Sequence, residues 1–372
     1  MRAVVLGLLF CLAVPAVASA DSLVFRRGGE IWRMNPDGLD QRRLTSGLPY
    51  EWPSAADDGT LVAADTAGRL HRWSVTGAPL NVIPTAASDD DDEAPTETPT
   101  HVRISPDGTR VAYDQAISGD VTTIVTAATA TEPVTAGQDG LVAPSWIGNG
   151  RLLLSRDISF EEAGPAFNLY DVGGVVTPWF SDPALGWATG FDAAASRDGG
   201  RLAVVADDAA DSEGTPTRVV LRLYEGTKVR CEFALEADDT FTSTSPTFSP
   251  DGRHVAWAER DGIHVATSAC AEERVVTLPG AWEPHWSAYT QPRDPEAGPR
   301  LALGLKVKAR PRRKTVRRRG VGVRVTVSAP TMIRLRVGPR LVKRTFAHAG
   351  TYTVRVRVPR AKRYRVRVSA PG

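Results

Sequence analysis

Pro246-Thr247-Phe248-Ser249-Pro250-Asp251-Gly252, followed by Val255-Ala256-Trp257, is the stretch on which the reading of this chain turns. It sets a short strand against a tight turn and a second, apolar strand. Pro250 fixes φ for the first turn position and Asp251 favours the bend. Gly252 takes the left-handed conformation that lets antiparallel strands reverse. The same frame fits without gaps at Val102 to Gly108, with turn residues Pro106, Asp107 and Gly108, followed by Val111-Ala112-Tyr113. It fits again at Pro144 to Gly150 followed by Leu153, and more faintly at Pro53 to Gly59 followed by Val62 and at Ala193 to Gly199 followed by Leu202. A hairpin recurring at a period of roughly forty to fifty residues is the mark of a repeat architecture.

After each hairpin comes a third strand, such as Leu70-His71-Arg72-Trp73, Leu169-Tyr170-Asp171-Val172, Leu221-Arg222-Leu223-Tyr224 or Ile263-His264-Val265, and then a shorter fourth. Four antiparallel strands per unit compose a propeller blade. The ends set the number of blades. Leu23-Val24-Phe25 matches the second strand of the frame and Ile31-Trp32-Arg33-Met34 the third, yet no first strand precedes them. The missing strand stands at the other end, where Pro284-His285-Trp286-Ser287 matches Pro246 to Ser249 and then stops. Five whole units and one split unit predict an all-β, six-bladed β-propeller over residues 21–288. Leu23 and Phe25 should lie beside Pro284 and Trp286 to close the ring and hide its edges.

On Ile31-Trp32-Arg33-Met34-Asn35-Pro36-Asp37-Gly38 and the Ser-Pro-Asp-Gly turns at 105–108 and 249–252, the chain resembles the TolB-like propeller family with its WD-repeat-like blades, over residues 21–287. The resemblance implies recognition of a protein or polymer on a propeller face.

Hydrophobic residues make up 42% of the chain, enough for a packed core, while 33 Gly and 27 Pro point to many turns rather than long helices. At 372 residues the chain has room for a second domain. Residues 1–20 carry Arg2, an apolar run from Ala3 to Val14, and Ala18-Ser19-Ala20 before Asp21, the pattern of a cleaved signal peptide. The expected location is therefore outside the cytoplasm: periplasmic, envelope-associated or secreted. That run is shorter than the ~20 residues a membrane span requires, and no other segment approaches it, so no transmembrane segment is expected in the mature chain. Cys11 lies inside the run without the small residues that precede a lipid-modified cysteine. Cys231 and Cys270 remain, either as a disulfide or as two free thiols on separate strands; a bond requires Cα atoms within roughly 7 Å.

Pro292, Pro295 and Pro299 mark a stiff linker over residues 289–299. Beyond it, residues 300–372 hold 23 Lys and Arg and no Asp or Glu, whereas the preceding residues hold 22 basic against 43 acidic groups. The runs Val323 to Val327, Ile333 to Val337, Val354 to Val358 and Tyr364 to Val368 alternate apolar with basic residues, the period of half-buried strands. They predict a small immunoglobulin-like β-sandwich, similar to the arginine-rich modules appended to exported actinobacterial proteins. Its cations cannot be satisfied by internal ion pairs. Arg317, Arg318, Arg319, Arg355, Arg357, Arg365 and Arg367 are the candidates for contact with an anionic envelope polymer, unless the acidic propeller neutralises them first. Export makes nucleic acid a poor partner.

The run Ser88 to Glu93 and the group Asp207, Asp208, Asp211 and Glu213 read as solvated acidic loops, without the glycine spacing of a calcium loop. His101 and His285 fall on innermost strands but at different frame positions, and with His71, His254 and His264 they read as ordinary histidines. Neither a Gly-x-Ser-x-Gly elbow nor a His-Glu-x-x-His pair occurs, and there is no phosphate-cradling loop or closely spaced cysteine cluster. Trp32, Trp146, Trp257 and Trp286 recur at matched positions suited to packing between blades. Trp52, Trp73, Trp179, Trp187 and Trp282 fall outside that register and are the better ligand platforms. The expectation is a non-catalytic binding or scaffold protein without a cofactor. The alternative is a propeller-type polysaccharide lyase or hydrolase with a channel-bound divalent metal.

Overall fold

The computed structural model describes residues 21–85, 98–117, 120–134, 136–156, 167–182, 192–210, 216–235, 244–270, 274–292, 303–307, 321–327, 331–337, 340–346, 350–356 and 366–369. The predicted signal peptide (residues 1–20), the acidic run 88–93, Asp211, Glu213, Trp187, the predicted linker beyond residue 292 and Arg317, Arg318, Arg319, Arg357 and Arg365 lie outside them. The described residues form strands and turns with no helix among them, and so include no helix long and apolar enough to cross a membrane.

Six four-stranded sheets carry the repeat. Blade 1 is built from β1 (Ser22–Arg27), β2 (Glu30–Met34) and β3 (Arg42–Arg43), with its first strand supplied from the far end of the ring. Blade 2 holds β4 (Tyr50–Ala55), β5 (Leu61–Asp65), β6 (Leu70–Trp73) and β7 (Pro79–Ile83), and blade 3 holds β8 (Thr100–Ile104), β9 (Arg110–Ile117), β10 (Asp120–Ala127) and β11 (Gly137–Asp139). Blade 4 holds β12 (Leu141–Ile147), β13 (Arg151–Arg156), β14 (Phe167–Asp171) and β15 (Val176–Phe180). Blade 5 follows with β16 (Asp192–Ala195), β17 (Arg201–Ala210), β18 (Pro216–Glu225) and β19 (Lys228–Ala234). Blade 6 has β20 (Thr247–Phe248), β21 (His254–Glu259), β22 (Gly262–Thr267) and β23 (Arg274–Thr277). The strand β24 (Ala281–Ser287) then pairs antiparallel with β1, in the register Ser22↔Ser287, Leu23↔Trp286 and Val24↔His285.

The first strands of the six sheets touch one another in cyclic order, β24 returning to β4, which makes the arrangement a six-bladed β-propeller. Second strands are sandwiched between neighbouring blades. Leu61-Val62-Ala63-Ala64-Asp65 is accordingly buried on both faces, while outer strands such as β7 and β19 are mostly exposed. Six apolar clusters fill the six junctions; one joins Val24 and Ile31 to Leu61 and Trp73, and another joins Leu221 and Leu223 to Val255 and Trp257. Burial of this kind is the main stabilising term. At the junction of blades 5 and 6, Cys231 on β19 and Cys270 after β22 form a disulfide with Cα atoms 6.1 Å apart.

The recurring turn has a further component beyond its Pro, Asp and Gly. Ser249 donates to Asp251 Oδ1 at 2.6 Å and accepts the His254 N–H at 2.9 Å, while Gly252 N–H closes on the Ser249 carbonyl at 2.8 Å with φ of +66°. The same clasp recurs at Ser105-Asp107 and at Ser196-Asp198. Burial pushes the Asp107 carboxyl up, but the Ser105 and Thr109 hydrogen bonds outweigh it and hold the group below its ordinary range.

The basic segment forms two three-stranded sheets. One contains β25 (Leu303–Val307), β26 (Val321–Val327) and β29 (Gly350–Val356), in the order β25-β26-β29; the other contains β27 (Thr331–Val337), β28 (Arg340–Phe346) and β30 (Val366–Ser369), in the order β28-β27-β30. Val323, Val325, Val354 and Val356 from the first meet Ile333, Leu335 and Val337 from the second in one core. This is the sandwich that the alternation predicts.

Candidate functional site

The concave feature shared by all blades is the axial channel, and its wall is two rings of side chains at frame positions two residues apart. The ring one residue before the frame proline holds Trp52, His101, Ala143, Asp192, Ser245 and Glu283. Trp52, His101, Ala143, Ser245 and Glu283 adopt left-handed φ of +55°, +46°, +54°, +39° and +53°, and at all of them but Ser245 the inner strand bulges against its partner. Such conformations cost of order 1–3 kcal/mol each and persist only where the surroundings enforce them. Carboxylates from alternate blades supply the enforcement. Glu283 of blade 1 accepts the Trp52 N–H of blade 2 at 2.7 Å, Asp114 of blade 3 accepts the Ala143 N–H of blade 4 at 2.7 Å, and Asp192 of blade 5 accepts the Ser245 N–H of blade 6 at 2.5 Å.

The next ring, at Ser54, Arg103, Ser145, Ala194, Thr247 and His285, bridges the remaining junctions. Ser54 Oγ accepts from Ile104 N at 3.0 Å, Ser145 Oγ from Ala195 N at 3.0 Å and Thr247 Oγ1 from Trp286 N at 3.2 Å. Carboxylate junctions therefore alternate with hydroxyl junctions around the circle. His285 Nδ1 adds a second bond between blades 1 and 2 by accepting the Ala55 N–H at 3.2 Å, and Trp146 Nε1 donates to the Arg103 carbonyl at 2.9 Å between blades 3 and 4.

Arg103 is the cation at the centre of this wall, with its guanidinium donating to the Val102 carbonyl at 3.0 Å. Burial pushes its pKa down, against the raising effect of Asp192, Glu283 and Asp114. Burial likewise raises the Asp192 and Glu283 carboxyls above their ordinary values, opposed by His101 and Arg103 for the first and by Arg26 for the second. His285 is held well below the usual imidazole range, by burial first and then by the positive charges of Arg103 and Arg197. Its ring is thus neutral at physiological pH, as its acceptor role at Nδ1 requires.

Beyond the second ring, Arg197 of blade 5 forms a bidentate ion pair with Asp57 of the opposite blade 2, barring one mouth. Between this bar and the rings lies a cavity of about 40 Å³ lined by residues of all six blades, among them Arg103, Arg197, Ser145, Thr247 and His285. Space of that size accommodates only a few waters. On the same side Arg33 reaches from β2 to the carbonyls of Gly59 and Val75, beneath the Tyr289 ring at 4.8 Å, and burial brings its pKa down to about 10. Gly59 is required there: its φ is +84°, and a Cβ would approach Val75 and Tyr289 within 2.5 and 2.8 Å.

The other histidines have partners of their own. His101 Nδ1 lies 2.9 Å from Asp114, whose remaining capacity is used by Thr123 and Ala143. His264 has a carboxylate at each ring nitrogen, Glu259 at 3.2 Å and Asp261 at 2.9 Å, and Trp257 Nε1 donates to Glu259 at 3.2 Å. Glu259, Asp261 and His264 bring their ligand atoms within 4.8 Å of one another, close enough to hold a metal ion. His71 bonds Asp65 at 2.8 Å, and His254 stacks on Trp286.

Trp146, Trp257 and Trp286 are buried at blade junctions. Two tryptophans expected as ligand platforms are core residues instead: Trp52 packs with Val102 and Tyr113, and Trp73 with Leu61 and Tyr50. Left-handed backbone at Trp52 turns that ring into the wall, a consequence of the bulge that strand periodicity does not reveal. Of the tail arginines singled out above, Arg355 is exposed on β29 and Arg367 lies on β30.

No family model and no curated protein matches this chain. Among solved structures, it is similar to TolB from Acinetobacter baumannii, with 16% identity, coverage of 72% of this chain and 66% of that one, and a TM-score of 0.49. A putative TolB from Agrobacterium tumefaciens gives 16% identity, 71% and 91% coverage and a TM-score of 0.47, and a chain of a nidogen/laminin complex gives 12%, 72% and 98%, and 0.46. These similarities concern the fold alone.

Proposed function

We propose that this chain is an exported, non-catalytic binding and scaffold protein, in which a propeller face recognises a protein or polysaccharide and the basic sandwich contacts an anionic envelope polymer. The observation that carries this reading is that side chains of the channel wall hold neighbouring blades together, Glu283, Asp114 and Asp192 at three junctions and Ser54, Ser145 and Thr247 at the other three. Arg103 already supplies positive charge near Asp192, Glu283 and Asp114, and the Ala55 N–H takes up His285 Nδ1, the charge and the lone pair that a divalent cation would use. Recognition then falls to the outer faces. The Cys231–Cys270 bond suits an oxidising compartment outside the cytoplasm.

Retention of the full mature chain on immobilised heparin, a sulfated polymer, tests the polyanion contact. It should persist at a salt concentration of ~150 mM, where the Debye length is about 8 Å. Elution in the void volume there would refute it and favour neutralisation by the propeller. Release of new sugar ends from envelope polysaccharide, with stoichiometric metal in the purified protein, would refute the non-catalytic assignment.

A further inference from the structure

The sandwich presents cations in the same pattern on both of its outer faces. In the first sheet Val323, Val325, Val354 and Val356 point into the core, so Arg324 on β26 and Arg355 on β29 stand on the opposite side, and both are exposed. Arg324 pairs with Thr353, and Arg355 is two residues further along the same strand. In the second sheet Ile333, Leu335 and Val337 point inward, Arg336 on β27 and Lys343 on β28 stand outward, and both are again exposed. Arg336 pairs with Leu341, and Lys343 is two residues beyond it. Each outer face therefore carries a diagonal cross-strand pair of cations about 7–8 Å apart by ordinary sheet geometry.

These cations have no offset within the segment, because residues 300–372 contain no carboxylate side chain. The two faces are separated by the thickness of the sandwich, roughly 10 Å between sheets plus the outward side chains, which exceeds the Debye length of about 8 Å. They are independent sites rather than halves of one. Of the 23 basic residues in the segment 18 are arginine, whose planar fork matches phosphate in bidentate geometry better than the point charge of lysine does.

We propose that the sandwich binds two strands of a linear phosphate-rich polymer at once, one on each outer face, and so cross-links the polymer. This rests on the polyanion contact proposed above and goes beyond it, since contact alone needs only one face. A face occupied by the acidic propeller would leave a binder that cannot bridge.

The test uses the full mature chain with long-chain inorganic polyphosphate at near-physiological salt, following binding by fluorescence anisotropy and clustering by light scattering. A bridging protein clusters the polymer near equivalence and releases it when protein is in excess. The variants Arg324→Gln/Arg355→Gln and Arg336→Gln/Lys343→Gln replace exposed groups, and unchanged thermal unfolding verifies their fold. Each should still bind, with the dependence of log K on log salt reduced by about 1.4 in magnitude, and each should lose clustering. Wild-type binding without clustering, or clustering that survives in both variants, overturns the cross-linking proposal while leaving the polyanion contact standing. Absence of binding overturns the contact itself and the bridge with it.

Discussion

Replacing His285 by asparagine isolates one proton in the stability of the whole ring. Asparagine can present an acceptor oxygen to the Ala55 N–H, now received by His285 Nδ1 at 3.2 Å, but it cannot titrate. Burial and the charges of Arg103 and Arg197 hold the folded imidazole well below its ordinary value of 6.5. The unfolded histidine takes up a proton as pH falls through that ordinary value, whereas the folded one does not until much lower pH. His285 therefore contributes stability that is present above pH ~6.5 and is lost on acidification below it. Between pH ~7.5 and ~5.5 one such group removes about 1.4 kcal/mol, the equivalent of one pKa unit. Urea unfolding of both proteins at the two pH values measures the difference directly. The gap between wild type and His285→Asn should move by that amount in favour of the variant at acid pH. A gap independent of pH would show that the ring is not neutral and enclosed in the fold, and the account of the second channel ring would fail.

Arg103→Met removes a buried positive charge from the neighbourhood of Asp192 and Glu283 and should destabilise the ring by about 1–3 kcal/mol, as read by urea midpoints. Replacing both Cys231 and Cys270 with serine opens a cross-link spanning 39 residues and should cost about 4 kcal/mol on the chain-entropy model; the variant should lose the wild type's sensitivity to reductant. Cutting the chain after Thr277 removes β24 from Leu23 and Val24, and calorimetry should show the entire ring destabilised rather than one blade. Gly59→Ala forces a Cβ toward Val75 and Tyr289 at a φ of +84° and should lower the melting temperature by several degrees.

The architecture was legible because each hairpin writes its turn in three adjacent residues, as at Pro250, Asp251 and Gly252, and because strands without a mate at one end had their mate at the other. The non-equivalence of His101 and His285 could also be read from the frame, and the structure gives them separate partners. The interlocking of the rings could not. Ser54 meets Ile104 across 50 residues and Glu283 meets Trp52 across 231, and nothing in a local window distinguishes a serine that bridges blades from one facing water. The left-handed residues were hidden for a related reason. A bulge shifts the alternation by one position, so Trp52 looked out of register and therefore free, whereas it is buried. Aligning the residues before Pro53, Pro144, Pro246 and Pro284 would have marked that ring as special.

The split blade sets a timetable for manufacture. Because the strand carrying Trp286 is synthesised some 260 residues after its neighbour Leu23, the circle cannot be completed until nearly all of the ring has emerged. Until then β1 keeps a bare flank open to stray pairing, the interval in which aggregation competes with assembly. For the export proposed above the delay would be useful, since an incomplete ring is still pliable.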